Sequence, residues 1–81
     1  MKKSEIRTGK IYTNRKGGVR EVLDLGPQYV LYSAQREKNN LQYKVLAKQG
    51  GPHKLGSVCN STVASFASWA QAEIVGVTVK F

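Results

Sequence analysis

Cysteine, histidine, proline and acidic residues are all scarce in this chain, and each scarcity removes a class of function. The one cysteine, Cys59, has no partner for an internal disulfide, which fits a reducing compartment. The one histidine, His53, stands six residues before it; two such ligands are too few for a zinc site, which takes three or four. Neither a metal nor any other cofactor is expected. His53, Cys59 and Asn60 together resemble the parts of a thiolate nucleophile, but Gly50, Gly51, Pro52 and Gly56 bracket the segment. Such a loop does not give the rigid setting that a nucleophile and its base require. A buried structural Cys59 and a solvent-facing His53 are the expectation. The five carboxylates (Glu5, Glu21, Asp24, Glu37 and Glu73) are scattered. Glu21 and Asp24, three apart in an expected strand, would point to opposite faces. The chain is read as a non-enzyme.

Long apolar runs are also missing, so no segment spans a bilayer. The start, "MKKSEIRTGK", has the charge of a signal peptide without an apolar stretch behind it, and a cytoplasmic protein is expected. With 81 residues, 41% of them hydrophobic, the chain is read as one small globular domain over 1–81, with 1–8 as a flexible or partly ordered lead.

What the chain has in excess is positive charge. Thirteen Lys and Arg face five Asp and Glu, for a net +8 and a pI near 9.9. Residues 1–20 hold seven of the bases (Lys2, Lys3, Arg7, Lys10, Arg15, Lys16, Arg20) against Glu5 alone. That asymmetry attracts polyanions; a solvated face that keeps a small domain soluble is the plainer alternative.

Periodicity gives the architecture. "GKIYTN" and "VREVLDL" read as strands joined across "RKGG", a hairpin signal because glycine takes the positive φ of tight turns. "YVLYSA" (29–34) is a third strand candidate. "LQYKVLAK" alternates cleanly, with Leu41, Tyr43, Val45 and Ala47 on one face and Leu46 as the exception. "QGGPHKLG" is read as a mobile loop, after which "SVCN" can form a short strand. From Ser61 the period becomes helical: Val63, Phe66, Ala67, Ala70 and Ile74 make one stripe over 61–75, with Ser61 or Thr62 as N-cap and Gly76 as terminator. "VTVKF" is the expected closing strand. The fold class is mainly β with one helix (α+β): about five short antiparallel strands, with the helix before the last. A small SH3-like barrel is the expected form, since closure removes exposed edges.

The series "GKIYTNRKGGVREVL", "LQYKV" and "SFASWA" resembles small phage- or prophage-encoded proteins with SH3-like folds, mostly of unassigned function. The resemblance covers Gly9 to Ala70 and implies a binding module in a bacterial or viral setting; it assigns no residue a role.

A Walker loop needs two glycines five apart followed by Lys and Ser or Thr, and "RKGGVRE" has neither that spacing nor that ending. What remains is a basic surface interleaved with aromatics. Lys10, Arg15, Lys16 and Arg20, helped by Arg36, Lys38 or Lys44, are the candidate contacts to nucleic acid (DNA or RNA). Tyr12 beside Lys10 is a candidate for stacking on bases. Tyr43 shares a face with Leu41 and Val45 and is read as core; Tyr12 and Tyr32 are left open between core and surface. Trp69 is either a lid over one end of the barrel or, if exposed, an anchor for a partner. The second reading is a protein-interaction module for an acidic surface of a host protein, with the first hairpin and the "QREKNN" turn flanking its groove. Either would act as a monomer or weak homodimer.

Overall fold

The structure is a computed structural model and describes residues 1–36, 38–47 and 54–75. Most of the Gly/Pro loop with His53, together with Glu37, Gly76 and the expected strand "VTVKF", lies outside the described residues. Among the described residues five strands form one antiparallel sheet: β1 (Ile11–Thr13), β2 (Val19–Leu25), β3 (Asn40–Ala47), β4 (Val58–Thr62) and β5 (Ala72–Glu73), in the order β4-β3-β2-β1-β5. One helix, α1 (Val63–Trp69), precedes β5. Among the described residues the two edge strands do not meet, so the sheet is open rather than closed into a barrel.

The alternation in β3 sets the inner face. Leu41, Tyr43 and Val45 are buried there, and Tyr12 of β1 and Val22 of β2 join them. Phe66, Ala67 and Ala70 from the helix end complete the core. Leu46, which breaks the sequence pattern only in being apolar, faces outward and is 38% exposed. The lead 1–8 reaches this core at two points: a 3-10 turn at Lys3–Glu5, itself exposed, leads to buried Ile6, and Met1 packs against the cluster. The Tyr12 hydroxyl donates to the Glu5 carbonyl at 2.7 Å and accepts from the Arg7 amide at 2.9 Å.

Three local expectations are corrected. The segment 29–34 is not a strand. Pro27 precedes it, and side chains take its backbone groups before a ladder can: the Val30 carbonyl accepts from the Asn60 amide, and the Leu31 N–H donates to Gln35. The Tyr29 hydroxyl donates to Asp24 at 2.6 Å. Asp24, Gln42 and Asn60 lie in one outer-face row, so Tyr29 and Val30 sit across that face. Second, the helix is half its expected length. Thr62 caps it as foreseen, accepting from the Ser65 amide at 3.1 Å. It stops at Trp69 because the Gln71 N–H donates to the Thr13 carbonyl and Ala72–Glu73 pair with β1. A seven-residue helix has little stability of its own, and the free edge of β1 captures the next residues, Ile74 included. Third, Glu21 and Asp24 share a face. A register shift between Val22 and Asp24 sets Glu21 opposite Lys44 and Asp24 opposite Gln42, and a bulge of this kind reverses the alternation.

Burial pushes the Tyr12 and Tyr43 phenols above their ordinary pKa; the Arg7 amide opposes this at Tyr12, and the Arg20 guanidinium at Tyr43. Both rings favour the neutral form in the folded state, so their contribution is intact below pH ~10 and is lost as pH rises further. Urea denaturation between pH 8 and 11.5 should show constant stability at first and then a fall that accompanies phenolate absorbance.

Candidate anion-binding cleft at the first hairpin

The turn between β1 and β2 is built by short polar side chains. Asn14 Oδ1 accepts from the Lys16 and Gly18 amides, each at 2.9 Å, and Thr13 Oγ1 accepts from the Arg15 amide at 3.0 Å. These bonds replace the ladder at the tip and leave Arg15 and Lys16 exposed. Gly17 takes φ 95°, as the sequence anticipates for a tight turn, but Arg15 also has a positive φ, 61°. For a side-chain-bearing residue that conformation costs roughly 1–2 kcal/mol, so a bulky cation stands where Gly or Asn fits better.

Gly18 answers to a different constraint. A Cβ there would lie 3.0 Å from Trp69 Cζ2 and 3.1 Å from Asn14 Oδ1. The hairpin and the helix end are therefore in close contact, which no local pattern reveals. Gly18→Ala should lower stability by about 1 kcal/mol, at the mild end of overpacking, and shift the emission of the single tryptophan. A melt and an emission scan check both effects.

Trp69 is half-buried. Its ring packs on Phe66 with centroids 5.4 Å apart. Arg20, a candidate nucleic-acid contact in the sequence, lies on the inner face, paired in register with Tyr12 and Val45, rather than standing free at the surface. Its guanidinium carbon sits 4.1 Å from the Trp69 ring centroid and 4.6 Å from that of Tyr43, within cation–π range. Arg20 thus ties the indole to the sheet and adds positive charge beneath it. Asn14, Arg15, Lys16, Ser68, Trp69 and Gln71 line a cleft of about 510 Å³.

The other candidates scatter. Tyr12 is wholly buried, edge-on to Phe66 at 5.6 Å, so its ring offers no face to a base: the corrected reading is core. Tyr43 is core too, whereas Tyr32 is 64% exposed. Lys10 lies 3.8 Å from Glu73. Lys44 is on the outer face opposite Glu21. Arg36 and Lys38 belong to the connection 26–39, at the far end of the seven-residue β2 from the tip, roughly 20 Å away at strand rise. The first hairpin and the "QREKNN" turn therefore do not flank a common groove. Lys38 instead borders a separate hollow with Lys3, Ile6, Leu25 and Pro27. Lys54, which the sequence reading passed over, emerges from the β3–β4 connection at the same end as Arg15 and Lys16. Strand pairing alone would have located it.

Cys59 pairs with Tyr43 and packs half-buried against the core, while Asn60 occupies the outer face; alternation parts the two. Among the described residues, no three of His, Cys, Asp and Glu gather as a metal would need, and no helix is long and apolar enough to cross a membrane. Comparison with protein-family models, curated proteins and solved structures finds no match to any of them.

Proposed function

We propose that this protein is a small non-catalytic binding module that holds nucleic acid through the first hairpin. The observation that supports it most is the joining of Arg15 and Lys16 to Trp69 in one cleft, between residues more than fifty positions apart in sequence. The strained φ of Arg15 supports it as well, since strain of this kind collects at functional positions. Contacts of this type go to phosphates and should be salt-sensitive and weakly sequence-specific. Five strands and a helix ahead of β5 among the described residues keep an SH3-like relationship to small phage proteins within the same proposal. Anisotropy titrations with labelled DNA and RNA, single- and double-stranded, at low and moderate salt, test the reading. Binding that weakens with salt and drops in an Arg15→Ala/Lys16→Ala variant supports it, and no binding at low salt overturns it.

A protein partner with an acidic surface is the second reading. It is favoured by the exposed apolar run Val30, Leu31 and Tyr32, 36–64% exposed, with Arg36 and Lys38 following in the same connection. A pull-down from lysate with and without nuclease separates the two readings: a stoichiometric protein that survives nuclease favours this one.

A further inference from the structure

Resting on the nucleic-acid reading above, we infer that the cleft takes an unpaired nucleotide, so that the ligand is a single strand rather than a duplex. The cleft, about 510 Å³, falls within the ~300–1,000 Å³ of sites that hold one small ligand. Its lining divides by chemistry. Arg15 and Lys16 are exposed cations at one side, suited to a phosphate. The half-buried Trp69, in the same lining, is the apolar group for a base. Asn14, Gln71 and Ser68 bring polar groups between them. The Asn14 oxygen is committed to two backbone amides, which fixes that side chain and leaves its NH₂ to donate to a base edge.

A duplex fits this division poorly. Its bases are stacked inside, out of reach of an indole that is itself held in place by Arg20 and Phe66. The positive charge that would track a duplex backbone is also broken up. Of the exposed bases among the described residues, only Lys54 joins Arg15 and Lys16 at that end; Lys10 is near Glu73, Lys44 is on the other sheet face, and Arg36 and Lys38 are at the far end. An unpaired base brings its own flat face to the cleft and needs only one or two phosphates beside it.

The experiment is a competition series followed by Trp69 fluorescence. The probes are a dT20 strand, an rU20 strand, a 20-nucleotide strand of abasic sites with the same charge, and a 20-base-pair duplex. The expected result is quenching by dT20 or rU20, with affinity about 5- to 150-fold above the abasic strand, the range that one stacked base commands. The salt slope should be roughly −1.4 to −2.1, for two or three phosphates on a single strand. Trp69→Ala, which has no tryptophan signal and is followed instead by the anisotropy of end-labelled strands, should lose the preference for base-bearing strands. Should that variant fold poorly, the abasic comparison on the unaltered protein decides alone. Equal binding of the abasic strand or of the duplex would overturn the inference while leaving hairpin-mediated nucleic-acid binding in place. Failure of all four probes at low salt would remove both.

Discussion

Phe66→Ala should destabilise the domain severely, lowering its Tm by about 12 °C or more. Phe66 is 1% exposed and its ring meets three others: Tyr12 of β1 at 5.6 Å, Tyr43 of β3 at 5.5 Å and Trp69 at 5.4 Å. It fastens the helix to both halves of the sheet. A buried Phe→Ala change costs about 3–5 kcal/mol, whereas a chain of this length has roughly 4–12 kcal/mol in total. The helix cannot survive alone once undocked, because seven residues fall well short of a stable isolated helix. Thermal melts followed by circular dichroism should show a Tm lower by about 12 °C or more, or no folded baseline at all. Phe66→Leu, which keeps most of the volume, should fall between this variant and the parent. A Tm within a few degrees of the parent for Phe66→Ala would show that the ring cluster does not hold helix to sheet.

Arg15→Gly should move stability and binding in opposite directions. Glycine accepts the φ of 61° without the strain of about 1–2 kcal/mol carried by arginine. It gives back about 0.5–1 kcal/mol through the greater freedom of the unfolded chain. The net change should lie between zero and a gain of roughly 1.5 kcal/mol. Nucleic-acid affinity should meanwhile drop by about tenfold, the worth of one hydrogen bond to a charged group, and the salt slope should lessen by roughly 0.7. Chemical denaturation and a salt-dependent titration on the same sample read both. A variant that loses stability yet binds as the parent does would mean that Arg15 serves the turn and not a ligand.

The inner face of the sheet is legible in the sequence because period-two burial is a local property. Leu41, Tyr43 and Val45 announce their face, and Thr62 announces the helix start. What the sequence conceals is non-local. The helix end depends on β1 having an edge to offer Gln71 and Ala72, and helical propensity is a weak prior against such pairing. "YVLYSA" has strand composition, yet Asn60 and Gln35 satisfy its backbone in another way. The face of Asp24 turns on a bulge between two ordinary-looking residues.

The same division holds at the cleft. Arg15 and Lys16 are visible as a basic turn, and Gly17 as its hinge. The role of Gly18 becomes visible only when Trp69 is seen against it. The aromatic partner of the bases is consequently Trp69, brought in from the helix end, and not Tyr12, which alternation sends into the core. Arg20 differs from its neighbours for the same reason: its strand position turns the guanidinium inward, onto two rings.

In the proposed function the hairpin tip and Trp69 act as one binding surface. Amide and indole chemical shifts, recorded for the ¹⁵N-labelled protein during titration with a short single strand at low salt, test it most directly. The account predicts shifts concentrated in residues 13–18, at Arg20 and at 68–71, with the Trp69 indole N–H among the largest. Shifts confined to the region of Arg36 and Lys38 or to the Lys44 face, with the tip and the indole unmoved, would contradict it.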